Sequence, residues 1–584
     1  EAEQTATRDQ SLHDIERLAR RSDCSEVVVA QALLDLMHAD PQADTLTAVP
    51  AHWLRGAGRP ALARALRLNE RTTQALRATA RRLALPAYLG TLLLGTLGLV
   101  AWMLGHQGGG LRHPDTVAWL PWMCAVLMLL PASETVVALV NRLISESARP
   151  QHLPRLALGQ GIPAAHRVMV VIPAMLTDAP STRALVHRLQ LHYLANPEPQ
   201  AQFALLTDWA DAPQEHAPPD AALLSEAIAQ MAELNARYST QAPEAPRFIL
   251  LHRNRRFSDT EQRWIGWERK RGKLELLVAA LAQGHSAAFL DLGDVSRRAA
   301  STPYIVTLDS DTQLPPGRLR ELVGVAAHPH NQPRLGADGR SIVGGYGILQ
   351  PRVATPLPAP RDFTLYHWLF AGQCGMDPYS AASSEIYQDL FQEGTFTGKG
   401  LLHVGALHAV LSQRLPEGQV LSHDLLEGAL ARCAAVSDIT LIEDAPFHAD
   451  VAASRVHRWT RGDWQLLPFL LGPLRHHLGA IHRWKMFDNL RRSLVVPASV
   501  ALLLLSLATS VVSPWATLLL VAAAFSAGPL LGALAGFSPS RSDFSRGHFY
   551  RQALMDLVRT LSGGLWWMGQ LLQQALLAVD AIGR

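Results

Sequence analysis

The chain has 584 residues, enough for two to four domains, of which 48% are hydrophobic and 18% charged. That is too apolar for an ordinary cytosolic protein and too polar for a bare membrane bundle, whereas a soluble domain joined to a few membrane spans satisfies both figures. A net charge of +3 gives no argument for a nucleic-acid partner, and the scattered Cys24, Cys124, Cys374 and Cys433 predict neither a disulfide framework nor a zinc site, so the soluble part belongs in a reducing compartment.

Glu1 opens the chain without a methionine or a signal peptide, as in a piece of something longer. Residues 1–83 read as a cytoplasmic helical segment, with apolar positions at helical spacing in "SLHDIERLARRSDCSEVVVAQALLDLMHAD". "AYLGTLLLGTLGLVAWML" (87–104) has no charge and the length of a bilayer core. "VAWLPWMCAVLMLLPASETVVALV" (117–140) is a second span, and the pair occupies 84–145. Its one acid, Glu134, lies near the cytoplasmic end, where it can reach the interface. Arg77, Arg81 and Arg82 precede this pair, and Arg142 and Arg149 follow it. The positive flanks place both ends in the cytoplasm and the 104–116 loop outside.

Residues 150–490 alternate strand and helix. "HRVMVVIPAML" (166–176), "AQFALLTDWAD" (201–211), "RFILLHRN" (247–254) and "TPYIVTLDSDT" (302–312) are the strands, with helical patterns between them. This predicts a parallel, Rossmann-like α/β sheet whose ligands sit outside the strand carboxyl ends. Asp208, Asp211, Asp309 and Asp311 all fall at such ends. Four acids at one edge repel unless something positive joins them, and a divalent metal carrying a diphosphate is the natural candidate. A lone DxD is commonly a solvated turn; the strand before it and the neighbouring acids favour a site.

Two further spans follow within 491–538, "SLVVPASVALLLLSLATSV" (493–511) and "ATLLLVAAAFSAGPLLGALAGF" (516–537), with Arg541, Arg546 and Arg551 again on the cytoplasmic side. Residues 553–584 form either an interfacial helix or the start of another span, and Trp566 and Trp567 suit a membrane anchor. His367, His403 and His408 have no zinc-ligand spacing.

Several motifs together resemble the membrane glucosyltransferase module of cyclic β-1,2-glucan synthases (glycosyltransferase family 84). They are "TLDSDTQLPPG", "GGYGILQPRV", "DPYSAASSEIYQDLFQEGTFTGKGLL", "LSHDLLEGALAR" and "DVAASRVHRWTRGDWQLLP". The resemblance runs from about residue 5 to the C-terminal end. More broadly, the order D, DxD, D, (Q/R)xxRW is similar to that of processive family-2 synthases. The resemblance implies a GT-A glycosyltransferase domain, Rossmann-like and inserted between membrane helices, that polymerises glucose from UDP-glucose into β-1,2-glucan with Mg2+ or Mn2+.

It also implies roles residue by residue. Asp208 would contact the uracil or ribose, and Lys273 would approach the nucleotide phosphates. Asp309 and Asp311 would hold the metal diphosphate, and Asp424 would be the catalytic base, preceded by His423 where relatives carry Glu. Arg455, Arg458 and Trp459 fit RxxRW, and "GTFTGKG" (394–400) would line the acceptor side. The partners implied are UDP-glucose, a growing β-glucan begun on the enzyme itself, membrane lipid, and downstream carbohydrate-active domains for cyclisation and length control. The expected location is the inner membrane, multi-pass, with the catalytic domain in the cytoplasm.

The chemistry suits these residue types independently. A departing diphosphate gains charge that a metal and arginines stabilise, and inversion needs one base and no covalent nucleophile. Plainer roles exist for each: a helix N-cap for Asp424, a snorkelling pair for Arg455 and Arg458, a solvated helix face for Lys273. Two other functions share the scaffold. One is a processive synthase making a linear glucan or using another nucleotide sugar; the other is a non-catalytic sugar-nucleotide-binding module, against which the intact acids argue.

Overall fold

A computed structural model describes residues 2–39, 45–68, 70–106, 119–147, 150, 152–238, 245–284, 287–356, 364–370, 385–420, 423–472, 478–509, 511–538 and 545–584. Residues 107–116 of the expected external loop, Arg149, Cys374, Arg541 and much of "DPYSAASSEIYQDL" lie outside the described residues, as does the side chain of Arg77.

Four helices, α1 (Thr5–Ser22), α2 (Glu26–His38), α3 (Pro50–Leu54) and α4 (Arg59–Ala65), come first. They close a small core of Ile15, Leu18, Val29, Leu33, Leu54 and Leu62. Ser25 caps α2 by accepting from the Val28 amide. This segment is docked on the domain that follows: the Gln4 amide donates to the Arg155 carbonyl at 3.0 Å, and His328 meets Glu3 at 3.1 Å.

Next come α5 (Arg71–His106) and α6 (Leu120–Ser147). The soluble region then runs β1 (Val168–Leu176), α7 (Ala179–Ala195), β2 (Ala201–Trp209), α8 (Asp220–Arg237), β3 (Phe248–Arg253), β4 (Arg256–Ser258), β5 (Arg263–Ile265), α9 (Arg269–Gln283) and β6 (Tyr304–Thr307). It continues through β7 (Thr312–Gln313), α10 (Arg318–Ala327), β8 (Arg334–Leu335), β9 (Ile342–Gly344), β10 (Ile348–Ala354), α11 (Leu365–Phe370) and α12 (Ile386–Phe391). After these come β11 (Gly400–His403), α13 (Val404–Leu411), α14 (Asp424–Leu430), β12 (Cys433–Glu443), α15 (Ala449–Trp464) and α16 (Leu467–Leu471). The chain closes with α17 (Ala480–Ala508), α18 (Pro514–Ala535), α19 (Arg546–Gly569) and α20 (Leu571–Gly583).

The main sheet has the order β3-β2-β1-β6-β11-β10-β12-β7. β3, β2, β1 and β6 are parallel, as the sequence predicts. The sheet as a whole is mixed rather than parallel, because β11 runs antiparallel to β6 and β10, and β7 antiparallel to β12. Both faces are covered, which is why β2 is buried at every residue. Val168, Val170 and Ile172 of β1 pack with Leu189, Met231 and Leu322. Met169 and Val171 point the other way, onto Leu277 and Val410. The period of two in β1 thus serves two cores, one beneath α7, α8 and α10, the other beneath α9 and α13.

Among the described residues, four helices are long and apolar enough to cross a bilayer: 78–106 of α5, α6, α17 and α18. Each carries an interior proline, Pro86, Pro131, Pro497 and Pro529. α17 starts well before the expected span, so Arg491 and Arg492 lie inside the helix rather than ahead of it. Glu134 does not reach out to an interface: its carboxylate accepts from Arg491 Nη2 at 2.8 Å, and Arg491 also meets Asp488 and Ser133. Trp566 and Trp567 pack on Tyr366 and Phe370 of α11, with ring centroids 6.1 and 6.0 Å apart. They therefore anchor α11 to α19.

Candidate functional site

The carboxyl ends of β1, β2 and β6 open onto two adjoining clefts. The first, of about 560 Å³, is lined by Asp208, Trp209, Asp211, Lys273 and Ser181 among others. The second, of about 840 Å³, is lined by Asp309, Asp311, His423, Asp424, Arg455, Arg458 and Trp459. Pro173, Arg269, Lys270 and Ser310 border both. Residues from distant stretches, 309–311, 424 and 455–459, thus meet in one cleft, and Asp208 and Lys273 border its neighbour.

Asp208 is held differently from the expectation of four mutually repelling acids. It is buried on β2 and bonded to Arg253 of β3, whose Nη2 donates to Oδ2 at 3.1 Å. Lys273 Nζ lies 3.0 Å from the same oxygen and donates to the Ala174 carbonyl at 2.5 Å. Lys273 is 4% exposed, so it is no solvated helix face. Burial pulls its ammonium below the ordinary lysine range, despite the Asp208 charge. Asp211 is bonded to Arg269 Nη1 at 2.9 Å. Protein cations satisfy these two acids, because β3 and the start of α9 deliver them to the same sheet edge. Gly266 makes that close approach possible, since a Cβ there would lie 2.3 Å from Asp208 Oδ2.

Asp309 and Asp311 follow β6, and Glu443 ends β12; each of the three offers a carboxylate oxygen within 4.8 Å of the others. Lys270 bonds Asp309 Oδ1 and donates to the Gly398 carbonyl at 2.8 Å. Lys399 lies 3.2 Å from Asp309 Oδ2 and 2.5 Å from Glu443 Oε2. Burial would raise the Asp309 carboxyl, but the two ammonium groups overcome it and hold the group below the usual carboxylate range. Asp311 goes the other way, raised by burial and by the Glu443 and Asp309 charges. Three hard oxygen donors so close together fit Mg2+ or Mn2+.

Asp424 opens α14, with His423 rather than Asp424 at the N-cap position. The capping role is therefore excluded. His423 Nδ1 lies 3.2 Å from Glu427 Oε1 and 3.6 Å from Asp424 Oδ1. Burial would lower the imidazole, but the Glu427 and Asp424 charges raise it. The Asp424 carboxyl is raised by desolvation, with His423 and Lys270 opposing. Gly398, at φ +81°, lies behind it: a Cβ there would be 2.8 Å from Asp424 Oδ2.

α15 supplies the far wall. Arg455 Nη2 donates to Glu443 Oε1 at 3.0 Å and lies 3.7 Å from Asp311 Oδ2, so it is an acid-paired group rather than a snorkelling one. Its guanidinium sits 5.3 Å from the Trp459 ring centre. The second tryptophan of the motif, Trp464, instead donates to Ser493 Oγ at 2.9 Å, against α17.

Sequence reasoning missed Lys270 and Lys399, which line the cleft, and Glu443 and Glu427, which pair with its Lys399, Arg455 and His423. Glu443 was findable by the rule that found Asp309, an acid at a strand end, had β12 been read as a strand. Lys399 lies within "GTFTGKG", but its partner Asp309, just past β6, is visible only once β11 pairs with that strand.

No family model matches the chain. It is 38% identical over 548 residues to cyclic beta-(1,2)-glucan synthase NdvB of Rhizobium meliloti (strain 1021). The match covers 92% of this chain and 19% of that protein, so the chain is a homologue spanning 19% of its relative's length. Among solved structures, mannosyltransferase PcManGT from Pyrobaculum calidifontis, in complex with GDP-Man and Mn2+, aligns at 13% identity and a TM-score of 0.39. That alignment covers 76% of this chain and 99% of the other, and is too distant to argue from. The domain is a parallel Rossmann half extended by a mixed half, with acids at the strand ends and apolar helices before and after.

Proposed function

We propose that this chain is an inverting membrane glucosyltransferase that transfers glucose from UDP-glucose to a growing β-1,2-glucan. The observation that carries the reading is the single cleft in which the DxD pair, Asp424 and the Arg455–Arg458–Trp459 group meet, in a homologue of a cyclic glucan synthase. The first cleft would take the nucleoside, with Asp208 and Lys273 forming its rigid floor. Lys270, Lys399 and Arg455 would face the diphosphate and stabilise the charge that develops as it leaves. Asp309, Asp311 and Glu443 would hold a divalent cation, which supplies neutralisation of the departing diphosphate when bound.

Asp424 would take the proton of the acceptor hydroxyl. A carboxyl raised by desolvation is a stronger base than an exposed one, which suits that task. Trp459, 39% exposed, would offer a ring face to a sugar. The catalytic domain would face the cytoplasm, where nucleotide sugars are made, and cyclisation would fall to domains beyond this chain.

Product analysis tests the reading. Membranes given labelled UDP-glucose with Mg2+ or Mn2+ should yield glucose polymer that linkage analysis finds to be 1,2-bonded. Another linkage would support the linear-glucan alternative. Incorporation from UDP-N-acetylglucosamine but not UDP-glucose would end the donor assignment.

A further inference from the structure

We propose that the hairpin β4–β5 is the acceptor-side wall of the second cleft, and that its Phe257 is a stacking platform for a sugar ring of a neutral glucan. The assignment rests on the glucosyltransferase reading above. β4 and β5 pair antiparallel, with Phe257 opposite Trp264. The two rings meet edge to face, 5.8 Å between centroids, which fixes the Phe257 side chain. Yet Phe257 is 47% exposed and lines the same cleft as Asp424 and Trp459. The ring is held in place without being buried.

The wall around it is built. Arg256, the preceding residue, sits 5.5 Å from the Trp267 ring centre. Thr260, at the hairpin tip, faces Gly418 closely enough that a Cβ added to the glycine would lie 3.8 Å from Thr260 Oγ1, and the Gly418 amide donates to Glu268. Arg271 donates to the Pro416 carbonyl at 3.5 Å. The 416–418 segment is thereby tied to the start of α9 and borders the hairpin along the same cleft.

Its chemistry selects a ligand class. Phe257 on the hairpin and Trp459 on α15 put two exposed aromatic rings into a cleft whose lining is mostly polar and charged. Aromatic faces suit the C–H faces of a pyranose, and the polar lining suits its hydroxyls. Asp259 and Glu417 can accept from sugar hydroxyls, and Arg256 in the same lining can donate to them. The occupant that fits is an uncharged oligosaccharide whose end is directed to Asp424.

Binding titrations on the whole chain in detergent test this without requiring turnover. A β-1,2-linked glucose tetramer and UDP-glucose are titrated separately against wild type, Phe257→Ala, Phe257→Leu and Phe257→Trp. Alanine and leucine should each weaken the tetramer about tenfold, tryptophan should bind it within about twofold of wild type, and UDP-glucose affinity should stay unchanged throughout. Unchanged UDP-glucose binding also reports that the variants are folded. The wall assignment is overturned if Phe257→Ala and Phe257→Leu bind the tetramer as wild type does. It is overturned equally if wild type does not bind the tetramer, or if both ligands weaken together. If the tetramer follows the expected pattern while UDP-glucose fails to bind wild type, the donor reading fails and the wall stands.

Discussion

Asp424 is pulled in two directions. Desolvation raises its carboxyl, while His423 opposes the rise with a charge that Glu427 helps to maintain. A base works in its anionic form, so activity should fall on the acid side at a pH above the ordinary carboxylate range. Replacing His423 by Asn removes a neighbouring cation, the carboxylate binds its proton more tightly, and the acid limb of the kcat/KM profile should move to higher pH. A limb that stays put or moves lower would show that His423 does not act on Asp424 electrostatically. Gly266 makes a steric case at the same scale. Its Cβ would meet Asp208 Oδ2 at 2.3 Å, and that carboxylate is pinned by Arg253 and Lys273. Gly266→Ala should cost roughly 1–3 kcal/mol of stability by overpacking and raise the KM for the donor more than it lowers kcat. Thermal unfolding and initial-rate kinetics check the two parts.

At the scale of elements, β2, β3 and α9 are bound by one buried charge network. Asp208, Arg253 and Lys273 have side chains 3%, 3% and 4% exposed. Asp208→Asn leaves two buried cations without their carboxylate and should cost roughly 3–5 kcal/mol, seen as a lower unfolding temperature. Lys273→Met should cost less, because Arg253 keeps its partner. This network also marks where the sequence stops being informative. Asp309, Asp311, Asp424 and Arg455-x-x-Arg458-Trp459 each sit in a local motif and were legible one by one. That Asp208 is consumed by protein cations depends on β3 pairing beside β2 and on the first turn of α9 returning to it, which no local pattern encodes. The antiparallel β11 is four residues long and β7 only two, too short for periodicity to reveal, so the mixed half of the sheet was read as motifs without strands.

In the whole molecule, polar groups of α17 reach both the soluble domain, where Lys485 Nζ donates to the Gly394 carbonyl at 2.7 Å and Asn489 Nδ2 to Asp463 Oδ1 at 2.9 Å, and the neighbouring apolar helix α6. Arg491 of α17 bonds Glu134 of α6 as well as Asp488. The four apolar segments were legible from composition, whereas this cross-link needed the two helices side by side. Glu134→Leu leaves Arg491 with Asp488 and Ser133, so the loss should be moderate, roughly 1.5–3 kcal/mol, measured as unfolding temperature in detergent. The central claim is that one cleft joins a sugar-nucleotide site to the base Asp424. The most direct measurement compares wild type and Asp424→Asn for UDP-glucose binding and for incorporation of labelled glucose in the same membranes. The account predicts unchanged donor affinity with incorporation reduced about 100-fold or more. Incorporation at the wild-type rate by the asparagine variant would contradict it.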